Sequence, residues 1–318
     1  MKVLIADKFE QSGVARLREL GADVTVDPDL KDDALRDAMA RTGCKVLIVR
    51  STRVTEAMFA GAPELAMVIR AGSGFDTIDT AAAAAKGVRV CNCPGMNSVA
   101  VAELTLGMMI ALDRRIVDQS VDLRRGVWNK KEYGKARGLK GRTLGVVGLG
   151  RIGYAVAKRA AAFDMKLIYA DEFAMPEREK ELGIAKVSFG ELLKEADFIT
   201  LHVPGGAGTK HLIGQDELAS MKSTAFLINC SRGGIIDQSA LADAVKAGTV
   251  GGAALDVFEN EPGAADKEFS DPVVQVDHIY GTHHVGASTD QAQSAVADEA
   301  VRIVSGFMKS GEFLNCVN

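Results

Sequence analysis

Short apolar runs recur along this chain, and the segments between them carry apolar residues every three to four positions. The first third alternates the two patterns. Strand-like runs fall at residues 2–6, 22–26, 46–49, 66–69 and 88–92, with helix-like segments at 11–20, from 32 onward, at 55–60 and across the alanine-rich 78–86. Runs that are apolar throughout, divided by helix-length segments, predict a parallel sheet covered on both faces. Asn97-Ser98 then reads as the cap of a long apolar helix reaching about residue 112, followed by a charged stretch from 113 to 140.

The alternation restarts with strands at 143–147, 166–170, 198–203, 226–229, 252–255 and 278–281. Helices are expected at 151–162, 176–182, 189–195, 215–220 and 239–247. A last helix, about 289–309, comes too late for this second series and is expected to return to the first. The pattern therefore predicts an α/β protein of two doubly wound parallel-sheet domains, residues 1–93 with 285–318 and residues 94–284. A length of 318 residues is enough for two domain-sized cores.

One motif gives the second series a purpose. Gly148-Leu149-Gly150-Arg151-Ile152-Gly153 stands at a strand-to-helix turn. There the first glycine permits the tight turn, the second lets the chain approach a pyrophosphate, and the third lets the new helix lie on the sheet. The helix N-terminus adds free N–H groups and a positive dipole. The next strand ends at Asp171, 23 positions after Gly148. A carboxylate there accepts hydrogen bonds from both ribose hydroxyls, and no neighbouring arginine in the sequence neutralises a 2′-phosphate, which favours NAD over NADP. The competing reading is a glycine turn in an ordinary α/β protein with Asp171 as a solvated strand end.

Charge narrows the partners. Thirty-eight basic and 42 acidic residues give a net charge of −4, with no basic block of the kind that tracks a nucleic acid. The start MKVLIAD reads as a strand rather than a signal peptide, and no apolar run reaches the ~18 residues a membrane span needs. A soluble cytoplasmic protein is expected, with no nucleic-acid or membrane partner. Five cysteines, Cys44, Cys91, Cys93, Cys230 and Cys316, lie largely in or beside apolar segments, as reduced core thiols do. Cys91 and Cys93 share one side of an extended chain, but no Cys/His pair completes a tetrahedral set, so no metal is expected.

Three polar segments end strands of the second series: residues 229–234, 256–262 and 282–286. Strand C-termini face the ligand crevice in a doubly wound sheet, so an arginine, a carboxylate and a histidine from these segments can converge. Arginine grips a carboxylate bidentately and polarises an adjacent carbonyl, and histidine exchanges a proton with a hydroxyl near neutral pH. A glutamate paired with that histidine orients the ring and favours imidazolium. Such a set suits hydride transfer at a 2-hydroxy acid. Bland alternatives stand beside it: Arg232 as an ion pair at a turn, Glu261 as an ordinary loop acid. His202 and His211 read as cofactor-wall or surface residues lacking an orienting carboxylate, and His278 as a core or sheet-face residue.

The stretches VRSTRVT, IRAGSGFDTID, CNCPGMNSVAVAEL, GLKGRTLGVVGLGRIG, INCSRGGIID, GGAALDVFENEP and THHVGAST, in this order over nearly the whole length, resemble the D-isomer-specific 2-hydroxyacid dehydrogenase family. The similarity is most detailed to its D-3-phosphoglycerate dehydrogenase branch. It implies a flavodoxin-like substrate domain and a Rossmann nucleotide-binding domain. By this resemblance Arg232 holds the substrate's carboxylate and carbonyl side, Glu261 pairs with the catalytic histidine, and His284 is the acid/base. The family has proline before that histidine, and here His283 takes its place.

The resemblance further implies NAD contacts from Gly148, Gly150, Arg151, Ile152, Gly153 and Asp171. His202, Val203 and Pro204 are implied on a second strand end, with Cys230, Ser231, Asp256 and Gly286 on the others. Ser73 and Gly74 are expected to offer backbone N–H groups to the substrate carboxylate, and Arg50 and Arg70 to meet a phosphate or other distal polar end. The family's RSATKVT is one residue shorter here, RSTRVT, which leaves the substrate less defined than the redox chemistry. The length leaves no room for C-terminal regulatory domains, so serine inhibition through one is not expected. The expected partners are a small anionic 2-hydroxy or 2-oxo acid and a second copy of the chain, through the long apolar helix. D-glycerate or hydroxypyruvate as substrate, or an NAD-binding co-repressor-like scaffold, are the rival readings.

Overall fold

A computed structural model describes residues 1–262 and 268–318, which form two compact units, 1–97 with 287–318 and 98–286. The first contains β1 (Lys2–Ile5), α1 (Gln11–Glu19), β2 (Asp23–Val26), α2 (Asp32–Thr42), β3 (Val46–Val49), α3 (Glu56–Ala60), β4 (Met67–Arg70), α4 (Thr80–Ala85) and β5 (Arg89–Asn92). Its five strands are parallel in the order β2-β1-β3-β4-β5, the flavodoxin-like winding. The all-apolar β3 is buried along its whole length, as a strand with helices on both faces must be.

The second unit opens with α5 (Ser98–Arg114), α6 (Ile116–Arg124) and α7 (Lys130–Tyr133). It continues through β6 (Thr143–Val147), α8 (Arg151–Ala161), β7 (Lys166–Ala170), α9 (Pro176–Leu182), β8 (Ala185–Lys186), α10 (Phe189–Glu195) and β9 (Phe198–Leu201). It ends with α11 (Gln215–Ser220), β10 (Phe226–Asn229), α12 (Gln238–Lys246), β11 (Gly252–Leu255) and β12 (Ile279–Gly281). All pairings are parallel, in the order β12-β11-β10-β9-β6-β7-β8. Strand order reverses at β6, so the crevice between the C-terminal ends of β6 and β9 is the switch point where this winding binds ligands. The chain then returns to the first unit as α13 (Asp290–Ser310), where Ala300 and Val304 pack with Val14, Leu17, Ile5 and Ile48.

Several expectations are corrected. The stretch 113–140 contains α6 and α7, and β8 adds a two-residue edge strand. Ser98 does not cap α5: its buried hydroxyl has no partner, and Asn97 Oδ1 accepts from Ser73 Oγ at 2.7 Å. The apolar face of α5 is spent inside its own unit, where Val101, Leu106 and Met109 meet Val156, Ala157 and Ala160. Exposed large apolar side chains include Val99 on α5 and, on α6 and just beyond it, Ile116, Val117, Leu123 and Trp128, the last 80% exposed. Cys316 is exposed, unlike the other four cysteines. His278 is exposed with φ +67°, outside any core. Among the described residues no helix is long and apolar enough to cross a membrane.

Candidate functional site

The glycine turn is tight, and its geometry requires glycine at two positions. Gly148 has φ +88°, and a Cβ there would lie 2.8 Å from the His202 carbonyl oxygen, so β6 and β9 touch at their C-terminal ends. A Cβ on Gly153 would lie 2.1 Å from the Gly148 carbonyl oxygen; only glycine lets α8 start this close to the turn. Over Gly150 a Cβ would meet nothing within 4 Å, so open space lies above the α8 N-terminus. Arg151 and Ile152 occupy its first turn, and Gly150, the N-cap, lends no side chain to it. These N–H groups, with that open ground before them, fit a pyrophosphate.

Asp171 ends β7 beside this turn. Its carboxylate accepts Leu149 N–H at 2.8 Å and Phe173 N–H at 3.3 Å, keeping lone pairs for a ribose. Arg178 from α9, invisible as a neighbour in the sequence, donates to the Leu149 carbonyl and stacks on Tyr154, 5.2 Å from its ring centre. An arginine therefore does stand at this loop, in space rather than in sequence.

At the end of β9, burial drives the His202 pKa down to about 3. Its Nε2 lies 2.9 Å from Thr200 Oγ1 and its buried Nδ1 has no partner, so the ring stays neutral. Val203 and Pro204 continue this edge; Pro204's carbonyl accepts Thr209 Oγ1 at 2.6 Å. After β10, the Cys230 thiol is buried against Met108 Sδ, which leaves only its backbone facing the edge. Ser231 Oγ donates to the Leu201 carbonyl at 2.6 Å, tying the β10 loop to the end of β9.

Arg232, Glu261 and His284 meet on this same edge. A Cβ on Gly233 would lie 2.0 Å from the Phe258 carbonyl, so the arginine loop packs directly on the loop that carries the glutamate. Arg232 Nη1 donates to the Ser231 carbonyl at 2.8 Å, and its charge reaches Glu261. Glu261 Oε1 accepts Phe258 N–H at 3.0 Å, and Oε2 lies 2.7 Å from His284 Nδ1. Burial opposes ionisation of Glu261, but the His284 and Phe258 hydrogen bonds and the charges of His284 and Arg232 outweigh it and hold its pKa below the usual value. An ionised carboxylate only accepts, so the contact assigns the proton to Nδ1 and leaves the lone pair on Nε2.

The histidine loop is held by Asp256, which is 1% exposed. Its Oδ1 accepts Thr282 Oγ1 at 2.6 Å and Val285 N–H at 2.9 Å, and Oδ2 accepts Gly286 N–H at 2.8 Å. This fixes the turn in which His284 adopts φ +52°, an uncommon conformation for a side-chain-bearing residue. His283 is exposed beside it. His211, expected to lack a carboxylate, has one: Nε2 lies 2.5 Å from Glu259 Oε1.

In the first unit, Arg50, Arg70, Ser73 and Gly74 gather at the C-terminal ends of β3 and β4. Arg50 donates to Gln293 Oε1 at 3.0 Å and Ser288 Oγ at 3.4 Å. Arg70 lies across Gly72, where a Cβ would be 1.5 Å from its Nη1, next to the Ser73 turn. Asn92 Nδ2 donates to the Ser73 carbonyl at 2.6 Å and braces that turn. Asp7, ending β1, accepts the N–H groups of Arg50, Ser51 and Thr52. Sequence reading missed it, although the strand-end rule applied to β1 would have found it.

Residues 106–286 match the family model described as D-isomer specific 2-hydroxyacid dehydrogenase, NAD binding domain. The chain is 42% identical over 312 residues to D-3-phosphoglycerate dehydrogenase of Methanocaldococcus jannaschii, covering 96% of this chain and 58% of that protein. It is 44% identical over 257 residues to hydroxypyruvate reductase of Thermotoga maritima, covering 80% of this chain and 82% of the relative. Among solved structures, D-lactate dehydrogenase from Aquifex aeolicus, complexed with NAD and lactic acid, aligns over 100% of both chains with a TM-score of 0.84 and 27% identity.

Proposed function

Because the chain belongs to the D-isomer specific 2-hydroxyacid dehydrogenase family, we propose that it interconverts 3-phospho-D-glycerate and 3-phosphohydroxypyruvate with NAD. The observation that carries the reaction class is the 2.7 Å contact between Glu261 and His284 Nδ1, with the charge of Arg232 beside it. The glycine turn and Asp171 hold NAD, which when bound accepts a hydride from, or delivers it to, the substrate's C2. Arg232 grips the carboxylate and polarises the adjacent carbonyl. His284 Nε2 takes the hydroxyl proton in oxidation and returns it to the carbonyl oxygen in reduction. Glu261 holds the ring in the tautomer this requires and places its carboxylate against Nδ1.

The phosphorylated substrate rests on the 42% identity to a phosphoglycerate dehydrogenase and on Arg50 and Arg70 near the Ser73 turn. A second reading, reduction of hydroxypyruvate to D-glycerate, draws on the relative of that name, of which this chain spans 82% rather than 58%. NADH oxidation with 3-phosphohydroxypyruvate, hydroxypyruvate and glyoxylate, followed at the nicotinamide absorbance, separates the two by their kcat/KM ratio. No turnover on any of them would overturn both and leave a binding scaffold. A homodimer belongs to the same proposal, supported by the unburied apolar residues of α6 and Trp128. Sedimentation as a monomer at micromolar concentration refutes it.

A further inference from the structure

Cys91 and Cys316 face each other across an antiparallel bridge between β5, the edge of the five-stranded sheet, and the segment 315–318. The flanking hydrogen bonds fix the kind of pair: Val317 N–H donates to the Val90 carbonyl at 2.8 Å, and Asn92 N–H to the Asn315 carbonyl at 3.2 Å. Cys91 and Cys316 thus form the non-hydrogen-bonded type of pair. Their Cα atoms are held roughly 4.5 Å apart and their side chains leave one face of the sheet together. That spacing lies at the short end of the range a disulfide bridges, about 4.4–6.8 Å.

We propose that Cys91 and Cys316 form a reversible cross-strand disulfide that staples the segment 315–318 to β5. The two thiols differ in access in the way such a reaction needs. Cys316 is exposed, with Sγ turned to the Asn318 carbonyl at 3.2 Å, while Cys91 is fully buried against Met67 Sδ at 3.6 Å. Cys93 lies on the same face but turns its sulfur to the Val296 carbonyl, beneath α13, and is not the partner. Burial first, then the adjacent Cys316 thiol, pushes the Cys91 pKa up to about 12, so the two groups already sense one another.

The oxidant is a small-molecule disulfide such as oxidised glutathione. Cys316 thiolate attacks one of its sulfurs and releases one glutathione thiolate. Cys91 thiolate then attacks Cys316 Sγ, forming the protein S–S bond and expelling the second. Two protein thiols are oxidised, one glutathione disulfide is reduced to two thiols, and the two protons lost by the cysteines pass to the released thiolates. Because the resolving thiol is held protonated, closure accelerates as pH rises.

The test incubates the full chain with graded ratios of oxidised to reduced glutathione, blocks free thiols, and maps peptides without reduction. The expected result is a peptide joining Cys91 to Cys316, the loss of two titratable thiols, full reversal by dithiothreitol, and a rate that climbs with pH. Cys316→Ser, a surface change, removes the cross-link; Cys93→Ser, its unfolding midpoint checked first, leaves it. Glutathione retained on Cys316 without closure, a Cys91–Cys93 link, or a Cys316 bond between two chains would each overturn the proposal.

Discussion

Glu261 and His284 should fail together rather than separately, and a double-mutant cycle measures this. His284→Ala removes proton transfer, which contributes roughly 10²- to 10⁴-fold, or about 2.7–5.4 kcal/mol at ~1.36 kcal/mol per decade. Glu261→Gln keeps an oxygen that can accept from Nδ1 but trades a charged contact for a neutral one. Hydrogen bonds to charged groups contribute about 1.5–3 kcal/mol against about 0.5–1.5 for neutral ones, so the loss should be ~1–2 kcal/mol, about 5- to 30-fold in kcat/KM. If Glu261 acts through the imidazole, the double variant should be no slower than His284→Ala alone, within about 0.5 kcal/mol. The assay is kcat/KM for reduction of the best 2-oxo acid at fixed pH, with NADH binding checked by fluorescence. A double variant whose loss equals the product of the two single losses would show that Glu261 works independently of the histidine, and the assignment would fail.

The pH dependence has a definite sign. Glu261 has a depressed pKa, so the carboxylate that holds His284 persists through the ordinary carboxylate range and is lost only as pH falls through the lowered value. An acid limb of the wild-type rate profile that owes to Glu261 should therefore lie below pH 4.5 and be absent from Glu261→Gln. An identical acid limb in both proteins would assign it to another group.

The glycine turn and its neighbours give further checks. Asp171→Ala should weaken NADH binding by about 1.5–3 kcal/mol and narrow the preference over NADPH, and adding Arg178→Ala should erase any gain for NADPH; equal efficiency with both cofactors in the wild type refutes the assignment. Gly153→Ala places a methyl 2.1 Å from the Gly148 carbonyl oxygen and should cost at least ~1–3 kcal/mol in urea unfolding; an unchanged midpoint contradicts the packing argument. His283→Ala should leave kcat within a few-fold while His284→Ala does not; the reverse pattern moves the acid/base role to His283. Asp113→Ala strands the buried Arg142 guanidinium, 2.8 Å away and 7% exposed, and should destabilise the fold by about 3–5 kcal/mol without touching the strand ends that hold the site.

What the sequence disclosed and what it hid divide along one physical line. The strands, the helices around them and the glycine turn were legible because burial imposes a short period on neighbouring residues: β3 is apolar at every position because both faces are covered. The helix α6 was not legible, because none of its residues is buried in its own chain and its apolar positions answer to no core within it. Arg232, Glu261 and His284 were legible only as strand-end residues and through resemblance, since a chain order of 232, 261, 284 carries no distance. Asp256 shows the limit most directly. The resemblance implied it as an NAD contact, and the structure commits three hydrogen bonds of its carboxylate to residues 26 to 30 positions later. No local pattern encodes those bonds. A buried carboxylate satisfied in this way fixes the turn at His284, so the placement of the proposed acid/base residue depends on a side chain that need not touch substrate at all.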